Sequence, residues 1–193
     1  MTDGKRDLTG SGTTAGKIST RRVYTGRVVS LDVDTVRFPN GTEGELEMIR
    51  HSGASAVVPL LEVPGGEAKV ILIRQYRYAA EGYVYEVPAG RLDKGETPEA
   101  CAHRELKEET GYTAAVMTPL TTIFTTPGFT DERIHLFLAT GLSFGESQLE
   151  SDEVLDLHPV AVSEALEMIH SGAICDGKTI SALLFVAQFN EIK

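Results

Sequence analysis

Gly90-Arg-Leu-Asp-Lys-Gly-Glu96-Thr-Pro-Glu-Ala-Cys-Ala-His-Arg104-Glu105-Leu106-Lys-Glu108-Glu109-Thr-Gly111-Tyr112 is the stretch that decides the fold. Its punctuation predicts a helix over residues 98–110. Thr97 suits the N-cap, Pro98 the first helical position, and Gly111 the left-handed position that ends a helix. At 3.6 residues per turn, Glu105, Glu108 and Glu109 share an arc of roughly 100°, with Arg104 at its edge and the apolar Ala102 and Leu106 beside it. Like charges four apart, as in Glu105 and Glu109, cost a helix roughly 0.2–0.5 kcal/mol. An isolated helix gains nothing from that cluster, so a cation is the expected compensation. Hard oxygen ligands on one face favour Mg²⁺, Mn²⁺ or Ca²⁺, and Mg²⁺ is commonly shared between a few carboxylates and substrate phosphates. Cys101 and Cys175 show no spacing with a histidine pair of the kind that zinc takes.

The rest of the chain frames this helix. At 193 residues, 41% of them hydrophobic and 24% charged, it is long and apolar enough for one domain with a sizeable core. A formal net charge of −10 argues against a nucleic-acid backbone as partner and requires locally positive groups wherever a polyanionic substrate binds. No apolar run is long enough to span a bilayer and the N-terminus lacks a signal-peptide core, so no membrane partner is expected. The two cysteines point to reduced thiols in the cytoplasm.

Residues 1–18 carry glycine, threonine, serine and charge with little apolar content, and read as a flexible tail. Residues 19–51 form a separate N-terminal strand region. Alternation over 22–39, a Pro39-Asn40-Gly41 turn and a second run over 45–51 predict an antiparallel pair. Such a pair is marginal alone and apolar on one face, which points to a homodimer. Residues 52–193 make the main domain. Strands are expected at 54–61, 68–74, 83–88, 121–125 and 133–139, and helices at 163–171 and 179–189.

The Gly90–Tyr112 stretch matches the pattern Gly-x5-Glu-x7-Arg-Glu-apolar-x-Glu-Glu-x-Gly-apolar, with Tyr112 where an aliphatic residue is usual. It therefore resembles the Nudix box of the Nudix hydrolases. The resemblance implies an α/β/α sandwich with a mixed sheet, to which the N-terminal antiparallel strand region is added. It also implies metal-dependent hydrolysis of a nucleoside diphosphate linked to another moiety. The segments Arg74-Gln-Tyr76-Arg77 and Glu86-Val-Pro-Ala-Gly90, and the loop Pro127-Gly-Phe129, resemble the ADP-ribose pyrophosphatase branch. That branch often carries an arginine a few residues before the position of His51, where this chain has Glu45-Leu-Glu-Met-Ile-Arg50. Asp176-Gly-Lys-Thr179 resembles the GDP-mannose-type hydrolases.

What the resemblance implies for single residues follows. Glu105 and Glu109 bind metal with the Ala89 carbonyl, Glu96 contributes from an outer position, and Glu108 binds metal or a metal-bound water. Arg104 orients a carboxylate. Arg74, Tyr76, Arg77, Glu86, Pro127 and Phe129 are the candidate substrate contacts. The acidic loop from Glu146 to Glu153 supplies a general base, with Glu150 and Glu153 both open for that role and Glu153 also as a metal ligand. The expected reaction takes ADP-ribose to AMP and ribose 5-phosphate, with another nucleoside diphosphate sugar such as GDP-mannose as the alternative. A nucleotide-sensing module without catalysis is the alternative of another class, and the intact acid set argues against it.

Overall fold

The computed structural model of the chain describes residues 14–145 and 155–189. They divide into two compact units.

The first unit holds the chain up to His51 together with Thr126–Glu132. Its sheet has three antiparallel strands in the order β1 (Gly16–Thr25), β2 (Ser30–Arg37) and β3 (Glu43–Arg50). Three strands stand where alternation predicted a pair, and β1 begins inside the segment read as tail. The run over 22–39 breaks at Gly26, whose N–H donates to the Val29 carbonyl at 2.9 Å and turns the chain back. Thr25-Gly26-Arg27 interrupts the alternation and Val28-Val29 shifts its phase, a break that a reading of 22–39 as one run overlooks. The second turn lies where expected: Gly41 takes φ 82°, and the Asn40 side chain accepts from the Thr42 N–H at 3.1 Å.

The most buried side chains of β2 are acids, Asp32 and Asp34. Arg22 donates to Asp32, and Arg50 donates to Asp32 at 3.0 Å and also to Asp34. Arg50 further reaches Asp131 at 3.2 Å, which ties the 126–132 segment to β3. The backbone completes that tie. The Ile49 N–H donates to Phe129 O at 2.8 Å, and the His51 N–H donates to the Asp131 carboxylate at 2.9 Å.

The second unit is built on a mixed sheet in the order β10 (Leu155–Ala161), β5 (Lys69–Arg77), β4 (Ala54–Leu61), β9 (Arg133–Phe144) and β8 (Tyr112–Phe124). Strands β6 (Gly82–Glu86) and β7 (Ala89–Arg91) pair with β5 and β4. Among the described strands of this sheet, only β4 and β9 run parallel. Alternation along β4 sends its side chains into two cores. On one face Val57 packs with Ala102 and Leu106 of α1 (Pro98–Thr110). On the other, Ala56 and Val58 join Ala165 of α2 (Val162–His170) and Ala182, Leu183 and Val186 of α3 (Gly177–Phe189). The second unit is thus an α/β/α sandwich with a mixed sheet, and the first is the N-terminal antiparallel sheet.

Strand β8 starts at Tyr112, well before the expected 121. Much of it is exposed, so it lacks the buried alternation that marks a strand in sequence. Strands β7 and β10 were likewise not expected; β7 has three residues, and β10 contains Pro159. Among the described residues no helix is long and apolar enough to cross a membrane.

Candidate active site

Local chemistry fixes α1 first. The Thr97 hydroxyl accepts from the Ala100 N–H at 3.2 Å, and Gly111 at φ 73° donates its N–H to the Lys107 carbonyl at 2.9 Å. Burial of Ala102 and Leu106 against the sheet then sets the rotation of the helix, and with it the acid face. Glu105 and Glu109 are buried and Glu108 is half-buried.

One guanidinium organises this face. Arg104 donates to Glu96 at 2.9 Å, to Glu105 at 2.5 Å and to Glu108 at 3.0 Å, and to the Arg91 carbonyl at 3.1 Å. Those carboxylates, Glu96 first, hold the Arg104 guanidinium firmly protonated. Arg104 likewise holds the Glu96 carboxyl down at about 2, against the opposing effect of burial and with help from the Asp93 N–H. Glu109 accepts the Ala89 N–H at 2.9 Å, which joins the helix to β7. The next residue must be glycine. A Cβ on Gly90 would lie 1.8 Å from a Glu105 carboxylate oxygen.

Among the described residues no three acid, histidine or cysteine side chains are gathered into a metal cage. Arg104 draws Glu96, Glu105 and Glu108 towards itself instead. The donor set nevertheless fits a hard divalent ion. It consists of carboxylates and a backbone carbonyl, three acids share one guanidinium, and Gly90 leaves room for Glu105 beside the strand.

Strand β5 divides the residues that sequence grouped together. Its pairing with β6 sets Arg74 opposite Tyr85 and Tyr76 opposite Tyr83, whereas Ile73 pairs with Glu86. Alternation therefore puts Arg74 and Tyr76 on one face and Arg77 and Glu86 on the other, and four candidate substrate contacts become two pairs. On the first face the Arg74 guanidinium lies 4.1 Å from the centre of the Tyr83 ring, and Tyr76 meets that ring edge-on at 5.6 Å. On the second, Arg77 grips Glu86 with two parallel bonds, 2.7 Å from Nε and 2.9 Å from Nη2. Arg77 is also close enough to Glu109 to feel its charge, which connects this face to α1.

Two residues join that face from the far end of the chain. Lys178 donates to Glu86 and, at 3.0 Å, to Asp176. Asp176 also caps α3, accepting from the Thr179 N–H at 3.0 Å and the Thr179 hydroxyl at 2.6 Å. Burial pushes the Glu86 carboxyl up, but Arg77 and Lys178 outweigh it and hold the group below the ordinary carboxylate range. Together these residues line a cavity of about 430 Å³. The sequence marked Asp176-Gly-Lys-Thr179 by resemblance only. Nothing local signals that Lys178 pairs with a carboxylate 92 positions earlier.

Pro127 and Phe129 lie in the first unit, where Phe129 is half-exposed. Glu150 and Glu153 fall outside the described residues. The strand that follows them, β10, pairs its first residue, Leu155, with Gln75 on β5.

This geometry of an acid-bearing helix after a tight glycine turn on a mixed sheet defines a class, and residues 51–183 match the NUDIX domain. The chain belongs to the Nudix family and is a Nudix pyrophosphatase, a hydrolase. Over 171 residues, 88% of this chain and 90% of the relative, it is 40% identical to the ADP-ribose pyrophosphatase of Bacillus subtilis (strain 168). It is 43% identical, over the same length and coverage, to the methanol dehydrogenase activator of Bacillus methanolicus. Its fold also superposes on a crystal structure titled ADP compounds hydrolase, with TM-score 0.78, 23% identity and coverage of 94% of this chain and 96% of that one.

Proposed function

We propose that the protein hydrolyses the pyrophosphate bond of a nucleoside diphosphate sugar, with ADP-ribose giving AMP and ribose 5-phosphate. The observation that carries this is the meeting, in one unit, of the Arg104-centred acid face with the Arg77–Glu86 fork, whose arginine feels Glu109. The similarity to an ADP-ribose pyrophosphatase supports the choice of sugar nucleotide.

Glu105, Glu109 and the Ala89 carbonyl are the groups to hold Mg²⁺, with Mn²⁺ as substitute, Glu96 at an outer position, and Glu108 and Glu153 as further ligands. When bound, such ions neutralise charge on the diphosphate and acidify water. Arg104 orients Glu105 and Glu108. Arg77 is suited to the diphosphate because Glu86 holds its Nε–Nη2 edge and so fixes the direction of the remaining N–H groups of the planar guanidinium. Arg74 and Tyr76, on the opposite face of β5, have no part in this set. Pro127 and Phe129 keep their assignment as substrate contacts on the resemblance of their loop. Glu150 is the general base, drawing the proton from the attacking water.

The exposed β1 strand, with Ile18, Val23 and Tyr24 open to solvent, supports a homodimer. Both cysteines are free, which supports the cytoplasm. Incubation with Mg²⁺ or Mn²⁺ and ADP-ribose, GDP-mannose, a diadenosine polyphosphate or a nucleoside triphosphate, with product identification, tests the reaction. ADP-ribose is expected to be cleaved with the highest kcat/KM. Turnover of the polyphosphate or triphosphate alone sinks the proposal.

A further inference from the structure

The cavity walled by Arg77, Glu86, Asp176 and Lys178 carries a balance of charge that a phosphate site would not have. Two cations face two carboxylates: Arg77 and Lys178 both bond Glu86, and Lys178 also bonds Asp176. A diphosphate needs an excess of positive charge to replace its hydration. A neutral polyol needs something else, since each hydroxyl both donates and accepts. Alternating carboxylate and ammonium or guanidinium groups meet that need, because every ring hydroxyl finds an acceptor and a donor side by side, with charge-assisted strength. The network is also buried: the Glu86 side chain is 3% exposed and that of Lys178 12%. Buried ion pairs are poor stabilisers compared with apolar residues of the same size, so their presence on a cavity wall calls for a use beyond packing. The volume of about 430 Å³ lies within the roughly 300–1,000 Å³ of small-molecule sites.

We propose that this cavity is the sugar subsite, in which Lys178, Glu86 and Asp176 recognise the hydroxyls of the pentose or hexose ring attached to the diphosphate. It rests on the hydrolase function proposed above and adds the part of the substrate that the reaction itself does not identify. Arg77 belongs to both. A sugar joined directly to the diphosphate must lie next to the group that binds the diphosphate, and Arg77 forms one wall of the cavity. Ala80 sits on the rim in an exposed 3₁₀ turn, so the space available to the ring is set partly by a side chain with no structural burden.

The test compares ADP-ribose with the methyl ester of ADP, which keeps the P–O–P link and lacks the sugar. In Lys178→Met the ratio of kcat/KM for ADP-ribose to that for the methyl ester is expected to fall about tenfold or more, mainly through KM, as charge-assisted bonds to the ring are lost. Lys178→Arg is expected to recover part of that ratio. Equal losses on both substrates would place Lys178 with the diphosphate or the fold and overturn the proposal, as would no change on either. Ala80→Leu leaves the charged network intact. It is expected to reduce kcat/KM for ADP-glucose more than for ADP-ribose, and an unchanged ratio between these substrates counts against the subsite. A calorimetric titration with ribose 5-phosphate supplies a readout apart from turnover. Binding to the wild-type protein that is weakened in Lys178→Met would support the subsite even if every nucleoside diphosphate sugar resisted hydrolysis, in which case the reaction and not the cavity would be in error. No binding to the wild-type protein overturns the subsite.

Discussion

Two arginines in this molecule each hold three carboxylates, and they do different things. Arg104 holds Glu96, Glu105 and Glu108, all drawn from one short stretch of chain around a single helix. Arg50 holds Asp32 and Asp34 from the neighbouring strand and Asp131, 81 positions away. The first cluster closes almost no loop of chain, so it contributes little to bringing distant parts together. It also keeps acids crowded on a helix that would be better off without them. The second joins three segments and brings in a second guanidinium, that of Arg22 on Asp32. Similar side chains thus make a site in one place and a clamp in the other. The distinction lies in how far apart along the chain the partners are.

The largest expected effect strikes the site and spares the fold. Glu109→Gln keeps the shape and helix preference of the side chain while removing one charge. Turnover at saturating Mg²⁺ should drop by roughly two to three orders of magnitude, with the melting temperature unchanged or slightly raised. Near-normal rates would make α1 a clamp like the other. Arg50→Met should do the reverse. Exchange protection of the β2 and β3 amides should fall about a hundredfold, because the buried aspartates lose their counter-charge, while protection in α1 holds. A uniform loss across both units would show that the two clusters are not energetically separate.

Acid should expose the clamp in a graded way. Arg22 holds the Asp32 carboxyl below its ordinary value of 3.8 against the opposing effect of burial; burial pushes the Asp34 carboxyl up, but Thr20 and Arg50 together hold it below that value too. Groups with depressed folded values stabilise the native state above the unfolded pKa, and that contribution disappears as pH falls through the folded value. Protection of β1, β2 and β3, corrected for intrinsic exchange, should therefore decline progressively below about pH 4. Asp34→Asn should start from lower protection and show a flatter decline; an equally steep one would remove Asp34 from the account. The smallest effect belongs to the cap of the site helix. Thr97→Ala should cost about 1 kcal/mol and lower the melting temperature by roughly 2–4 °C, measured by calorimetry.

Much of the acid face was legible because its information is local. Thr97, Pro98 and Gly111 mark a helix within one window, and the 3.6-residue repeat places Glu105, Glu108 and Glu109 on one side without knowledge of any other element. The central strand and its two neighbours were legible for a related reason, since Ala54–Leu61 and the apolar part of β5 are continuous buried runs. Residues whose role depends on distant partners were not legible. Arg74 and Arg77 look equivalent in sequence until the β5–β6 pairing assigns them to opposite faces. Lys178 acquires its role only from Glu86, and Arg50 only from Asp131. The turn at Gly26 is marked only by the short break Thr25-Gly26-Arg27, which is too brief to divide the run over 22–39 by itself.

The attachment of Thr126–Glu132 to β3 sets an order of events during synthesis. Asp131 leaves the ribosome 81 residues after Arg50, a delay of about 4 to 16 s at roughly 5–20 residues per second. For that interval the nascent N-terminal sheet has an open edge at Ile49, with neither Phe129 nor Asp131 yet present to cover it. Such an edge is free to pair with another strand, including one from a neighbouring chain on the same message. Strands β1 to β3 thus emerge together, yet their sheet is completed only after β4 to β8 have been made.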